Sequence, residues 1–324
     1  MNLYPLKFTP ISKYRLWGGN KLNTFFNKGF TGDNNGESWE ISDVKGDETK
    51  VANGEFSGKT LKELSKQFKG KLLGNNVYET FGTEFPLLIK FIDAKTPLSI
   101  QVHPHDHIAK ERHNSFGKNE MWYIMDADDN AEIIVGFNKQ LDKKTYSEYL
   151  ENNNVLEVLN SVKTKAGDAF NIPTGRVHAI GAGVLLAEIQ QTSDITYRIY
   201  DYDRVDKTTG EKRELHNDLA LDVLDFEVQD DYITTYEKLL NTFNKLIYTP
   251  YFKSNVLFLT KTLNKDYKAI DSFIIYICTK GNVEVAVADE KYSITQGETI
   301  LIPACINKVT LIPNKDSELL EVYY

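Results

Sequence analysis

The sequence predicts a mainly β fold in which one all-β unit occurs twice and carries a small helical insertion. Three observations support this. Short runs rich in Ile, Val, Phe and Tyr recur between Gly, Asn and Asp punctuation. Helical periodicity is confined to a few stretches. A seven-residue signature that begins at Gly167 returns at Gly297.

Taken in chain order, the first helical stretch is 60–68. Leu61, Leu64 and Phe68 share a face there, behind a Thr60 cap with Glu63 three residues on. Strand runs follow at 85–92, 98–102, 121–125 and 131–137. Residues 141–159 read as a longer helical region broken at Asn152-Asn153-Asn154. An apolar strand at 184–190 and a short helix at 217–224 come next, then strands at 273–278 and 283–287.

The repeat pairs Gly167-Asp168-Ala169-Phe170-Asn171-Ile172-Pro173 with Gly297-Glu298-Thr299-Ile300-Leu301-Ile302-Pro303. Upstream, in the same order, Tyr123-Ile124-Met125 matches Tyr276-Ile277-Cys278. The interval is longer in the first copy by about the length of the helical region at 141–159. In an antiparallel barrel the Gly-acidic pair makes a turn, the apolar residues form a strand, and Pro ends it at the mouth. Five residues after Pro173 stands His178, and five after Pro303 stands Lys308, so only the first copy keeps a metal-ligand residue there.

The chain has 324 residues, 41% hydrophobic and 26% charged, with a net charge of −8. That balance argues against nucleic acid or an anionic membrane as partner, because both need a broad basic surface. No apolar run reaches the ~20 residues of a membrane span, and the start lacks a signal-peptide core, so a cytoplasmic location is expected. Cys278 and Cys305 sit among apolar residues and read as reduced core thiols, too few for a cysteine-built metal site.

Four of the six histidines, His103, His105, His107 and His113, fall within eleven residues. The segment Ser99-Ile100-Gln101-Val102-His103 alternates as a strand should, placing Gln101 and His103 on one face about 7 Å apart. Glu120 begins the next strand, and His178 follows the Ile172-Pro173 turn. Together these four give a nitrogen and oxygen shell with one negative charge, which suits one Zn²⁺ per chain. Each also has an ordinary reading: Gln101 as a polar strand residue, Glu120 as a solvated strand end, His178 as a hydrogen-bonded interior histidine. His105 and His107 are rival ligands by spacing, but Pro104 ends the strand before them, and His113 and His216 read as surface residues.

Several of these segments together resemble type I phosphomannose isomerases. They are Leu98-Ser99-Ile100-Gln101-Val102-His103-Pro104, Gly117-Lys118-Asn119-Glu120-Met121-Trp122-Tyr123, residues 172–181 and residues 191–204. Near the start, Arg15-Leu16-Trp17-Gly18-Gly19-Asn20 and Gly36-Glu37-Ser38-Trp39-Glu40-Ile41-Ser42 resemble the short bacterial form. The resemblance implies a duplicated cupin, that is, a jelly-roll barrel present twice. Residues 1–240 would be the catalytic domain, with helical insertions at about 59–75 and 140–163. Residues 241–324 would be a degenerate copy without the metal site. It also implies interconversion of mannose 6-phosphate and fructose 6-phosphate, with zinc on Gln101, His103, Glu120 and His178. One departure is that His105 precedes Asp106, where the family usually has acidic residues directly after His-Pro.

Such a reaction moves a proton between C1 and C2, so it needs a base, a stabiliser of the oxyanion and a phosphate clamp. No Gly-rich phosphate loop is present, so the clamp should be cationic: Arg198, which the resemblance places in the cleft, with Lys118, Lys90 and the Ser99 hydroxyl. Lys90 also reads as a rim charge paired with Asp93. Lys118 shares the face of Glu120 on a strand. Glu188, alone in an apolar strand, is a candidate base or an ion-pair partner of Arg198 or Lys118, and Asp194 is a second carboxylate that either acts as base or orients Arg198. An iron-dependent oxygenase and a non-catalytic sugar-phosphate sensor are the competing readings. A monomer or weak homodimer is expected.

Overall fold

The computed structural model describes residues 2–206 and 208–324, and in it the expected strand runs are all present, their ends shifted by no more than two residues. They sort into two antiparallel barrels, each made of a larger and a smaller sheet. The first barrel faces a six-stranded sheet against a five-stranded one. The six-stranded order is Ala169–Ile172, Glu120–Ala127, Val184–Gln191, Leu87–Ala94, Ile11–Gly19 and Asn35–Ile41. The five-stranded order is Tyr197–Tyr200, Ile100–Val102, His178–Ile180, Glu132–Phe137 and Leu159–Lys163. The second barrel runs from Phe243 to Tyr323 and joins a five-stranded to a four-stranded sheet.

Side chains alternate across a strand, so a sheet buried on both faces serves two cores. Leu87–Ala94 and Val184–Gln191 are buried along their whole length. Their inward residues Ile92 and Leu186 pack with Trp122, Ile124 and Phe170 inside the first barrel. Their outward residues Ile89, Phe91, Ala187 and Ile189 join a second cluster with Val256, Ile275, Leu320 and Val322 of the other barrel. The five-stranded sheet lays Ile100, Val102 and Ala179 outward under the helices Lys143–Glu151 and Asn217–Val223. Gln101 and His103 therefore face inward.

The repeat is present in the strand pairing, with one correction. Ala169 pairs with Tyr123, and Thr299 pairs with Ile277, so Ile277 rather than Tyr276 corresponds to Tyr123. A one-residue slip exchanges the faces. Tyr123 accordingly points between the barrels and donates to Glu318 at 2.8 Å, whereas Tyr276 points into the second barrel. The ligand positions map cleanly in this register. Glu120 pairs with Ile172 as Ile274 pairs with Ile302, and Gln101 pairs with His178 as Asp266 pairs with Lys308.

The helical parts differ from expectation at their ends. The Thr60 capping box forms, but the first insertion continues past residue 75 as Leu61–Phe68, Gly70–Leu73 and Asn75–Phe81. The second insertion breaks at Asn152–Asn154, where Asn153 takes a left-handed conformation, and Leu159–Lys163 is a strand rather than helix. Lys21–Phe26 is a short helix that the sequence reading did not mark, and Asp106–His113 is helical. Cys278 is buried, but Cys305 is exposed, because it lies in the turn after Thr299–Ile302 rather than on the strand.

The first insertion ties the two barrels together. Gly74, at φ +96°, brings its backbone against Asp271, where a Cβ would stand 2.4 Å from the Asp271 carbonyl. Helix Asn75–Phe81 has no cap of its own, and Asp271 supplies one across the interface. Its carboxylate accepts from the amides of Asn75 at 2.8 Å and Asn76 at 3.0 Å. Asp271→Ala should therefore cost about 1 kcal/mol, lowering the calorimetric Tm by roughly 1–3 °C. An unchanged Tm would remove the cap from the forces joining the barrels.

Candidate metal centre

At the centre of the first barrel three side chains from both sheets converge. His103 and His178 come from the five-stranded sheet and Glu120 from the strand facing it, and their ligand atoms all lie within 4.8 Å of one another. The His103 and His178 Nε2 atoms are 3.1 Å apart, and Glu120 Oε1 is 3.3 Å from His103 Nε2. Gln101, paired directly opposite His178, brings its amide to 3.3 Å from His178 Nε2. Amide orientation follows from the hydrogen-bond network, and turning it over presents Oε1 at that point.

The ring tautomers decide what this cluster can hold. His103 Nδ1 lies 2.8 Å from the Ile195 carbonyl and His178 Nδ1 2.8 Å from the Arg176 carbonyl. Each Nδ1 is thus the donor, which leaves each Nε2 as a lone pair. Burial, with Lys118 beside His103, pushes both imidazoles down to about 4, so both are neutral near pH 7. The two lone pairs cannot satisfy each other, and their nearest donors are Lys118 Nζ, 3.2 Å from His103 Nε2, and the Gln101 amide, 3.3 Å from His178 Nε2. Glu120 is fully buried and its Oε2 has no hydrogen-bond partner. A divalent cation coordinated by all of them resolves both conflicts, and the nitrogen and oxygen donors fit one. His105 and His107 stand apart: His105 Nδ1 is 2.7 Å from Thr174 Oγ1, and its ring stacks on His107.

Gln101 and Lys118, which both touch the cluster, line a cavity of about 450 Å³. Its walls bring together Ser99, Lys90, Lys118, Glu188, Asp194 and Arg198. Lys118 contacts Glu120 and lies 3.2 Å from His103 Nε2. Lys90 donates to Glu188 at 3.0 Å and to Gln190 at 2.6 Å, and the Trp122 indole donates to the other Glu188 oxygen at 2.9 Å. Glu188 therefore pairs with Lys90, not with Arg198 or Lys118, and Lys90 is buried and paired rather than a rim partner of Asp93. The register explains this, since Lys90, Glu188 and Trp122 sit side by side on three adjacent strands. Asp194 is exposed at the edge and pairs with no cation among the described residues.

Arg198 differs from the other cations of the cavity. Arg15, Lys90, Lys118 and Arg213 each have a carboxylate within ion-pair distance. Arg198 has none. Its Nε donates to Ser99 Oγ at 3.3 Å and one Nη to the Glu214 carbonyl at 2.9 Å. Burial, then the positive charge of Arg213, lowers it to about 10, still cationic at neutral pH. His216 is not a free surface residue, because its Nδ1 accepts the Arg198 amide at 3.1 Å, while His113 is exposed and bonds the Tyr197 hydroxyl.

Sequence reasoning assigned no role to Glu37, Arg15 and Trp39, although it quoted their motifs. Glu37 accepts two bonds from Arg15, at 2.9 and 3.0 Å, and one from the Trp39 indole at 2.6 Å. Glu37 and Trp39 are two residues apart on one strand and so share the cavity face, which is the signal that marks them.

A family model for phosphomannose isomerase type I, catalytic domain, matches residues 6–154. The chain is 36% identical over 310 residues to the mannose-6-phosphate isomerase ManA of Bacillus subtilis (strain 168), covering 94% of each protein. It is 33% identical over 294 residues to mannose-6-phosphate isomerase of Streptococcus mutans, covering 90% of each. The crystal structure of mannose 6-phosphate isomerase from Bacillus subtilis superposes with a TM-score of 0.89 at 31% identity, over 99% of this chain and 100% of that one. A phosphomannose isomerase variant from Salmonella typhimurium shares the fold, with a TM-score of 0.78 at 16% identity over 99% of both chains.

Glu37 makes a pH-dependent contribution whose sign follows from its surroundings. Burial alone would raise its carboxyl, but Lys90 and Arg15 beside it hold it down to about 2, against an ordinary 4.5. Its stabilisation is complete above about pH 4.5 and is lost as pH falls toward 2. In urea unfolding, the gap between wild type and Glu37→Gln should be widest above pH 5 and close as the pH falls. A gap independent of pH would show that the ionised carboxylate contributes nothing.

Proposed function

The chain belongs to the type I phosphomannose isomerase family, and we propose that it interconverts mannose 6-phosphate and fructose 6-phosphate at this cavity, with zinc held by Gln101, His103, Glu120 and His178. One observation carries the reading. One cavity is lined by Gln101 and Lys118, which touch a buried cluster suited to a divalent cation, and by Arg198, which has no carboxylate partner among the described residues. An aldose or ketose phosphate has matching ends, with carbonyl and hydroxyl oxygens at C1 and C2 and a phosphate at C6.

Zinc bound there supplies Lewis-acid polarisation of the sugar oxygens. The neutral Gln101 amide and the single carboxylate leave that ion a net positive charge, which favours an oxygen ligand. Arg198 and Ser99 take the phosphate through charge-assisted hydrogen bonds, fixing the far end of the chain. Glu188 serves as the base. It accepts the proton from C2 of the open-chain aldose, the released electron pair forms the C1–C2 double bond, and O1 gains a proton. Loss of the O2 proton, with protonation at C1, completes the ketose. Lys90 and the Trp122 indole hold the Glu188 carboxylate in place. Lys118 stays charged, because Glu120 and Glu188 more than offset the cost of its burial, and so faces the developing oxyanion as a cation. Asp194, unpaired at the rim, is free to accept a sugar hydroxyl.

Residues 1–240 form the catalytic unit in this reading. The second barrel serves as a support, since Ile274 stands where Glu120 would be. In a coupled assay, chelator-stripped protein should regain fructose 6-phosphate formation when zinc is restored. Glu188→Gln should lower kcat by a factor of about 100 or more with a smaller change in KM. It should also abolish exchange of the C2 hydrogen with solvent deuterium. Retained exchange in that variant would transfer the base role to Asp194 or Lys118.

A further inference from the structure

Asp201 is a buried carboxylate shared by two arginines. It accepts from Arg213 Nε at 2.8 Å on one oxygen and from Arg213 Nη2 at 2.5 Å on the other. The second oxygen also accepts from Arg204 Nη2 at 2.5 Å. Arg204 is further committed, because its other Nη donates to the Pro97 carbonyl at 2.5 Å and its Nε to the Asp201 carbonyl at 3.2 Å. Arg213 Nη1 has no protein partner among the described residues, and its side chain lines the same cavity as Arg198.

The charges around this end of the cavity do not balance. Arg204 and Arg213 share the buried Asp201 carboxylate and Arg198 stands beside them with none, so these four groups sum to two positive charges. The other acids nearby, Glu214, Asp206 and Asp194, offset that sum only in part, because none is within ion-pair distance of these arginines among the described residues. Glu214 is 83% exposed at its side chain, and Asp206, at the cavity edge, accepts from the Thr208 amide and the Tyr14 hydroxyl. An arginine-rich end of this kind suits a phosphate monoester, whose charge at neutral pH approaches −2.

We propose that Arg213 is the second phosphate-binding arm of the cavity and that Asp201 is the positioning residue that aims it. The substrate class selected is the dianionic phosphate monoester, bound between the free Nη groups of Arg198 and Arg213. This inference rests on the reading that a sugar phosphate occupies the cavity. It adds a residue from the polar stretch at 208–214, remote in sequence from the metal centre, and gives Asp201 a function beyond structure.

The test uses the full-length, zinc-loaded protein, with mannose 6-phosphate as substrate and inorganic phosphate as competitive probe. Arg213→Gln should raise KM and the phosphate inhibition constant together, by about tenfold or more, with a smaller change in kcat. Arg213→Lys should recover part of the loss. Asp201→Asn separates aim from charge. It makes the cavity more positive, so charge alone would tighten phosphate binding, whereas loss of aim weakens it about tenfold. Unchanged constants in Arg213→Gln overturn the proposal, and tighter phosphate binding in Asp201→Asn overturns the positioning role. If Asp201→Asn does not fold, as judged by thermal melting, the two Arg213 variants decide. Failure of the underlying reading looks different, because inorganic phosphate then does not compete on the wild-type protein.

Discussion

The arrangement of the first barrel depends on a conflict among buried groups. Glu120 has no solvent exposure, and it faces two imidazoles whose donating nitrogens are already committed to backbone carbonyls. Lys118 pairs with one of its oxygens, but Oε2 is left without a hydrogen-bond partner, and a buried carboxylate oxygen without one is costly. The groups that meet it come from different sheets, so the conflict exists only once the barrel has closed. A divalent cation held there would link the two sheets through their own side chains, and its coordination would be coupled to folding.

The rest of the cavity follows from strand register. Trp39, Lys90, Glu188 and Trp122 form one continuous row across four strands, each paired with the next. Such a row fixes long polar side chains by direct cross-strand contact rather than by loops. Glu37 enters from the same edge and is neutralised by Arg15. Arg15, Lys90 and Lys118 in the wall are thereby matched by carboxylates within the protein, whereas Arg198 has none among the described residues. The second barrel contributes by burying the opposite face of the same sheet, so that this row of cavity side chains stands on a core packed from both sides.

What was legible in the sequence is what a local period encodes. Gln101 and His103 alternate on a short strand, Glu120 opens the next, and His178 follows a turn, so the cluster could be assembled from spacing and the barrel pattern. The Thr60–Glu63 cap was legible for the same reason. The partner of Glu188 was not, because Lys90 lies almost a hundred residues away and meets it only through antiparallel pairing. Arg213 sits in a polar stretch that reads as an ordinary loop, and its role depends on Asp201 being buried. The Tyr276 match failed because two similar short strings can align in either of two adjacent registers, and only the ladder chooses between them. Cys305 was misplaced because an apolar neighbourhood in sequence does not separate a strand from the turn that ends it.

The most direct measurement is anomalous diffraction from crystals of the zinc-loaded protein, recorded on both sides of the zinc absorption edge. The expected result is one strong peak per chain in the first barrel, about 2.0–2.1 Å from the Nε2 atoms of His103 and His178 and in contact with the Glu120 carboxylate and the Gln101 amide oxygen. A peak on His105 and His107 instead, or no peak at the Glu120 cluster in active protein, would contradict the claim that this buried set is a metal centre.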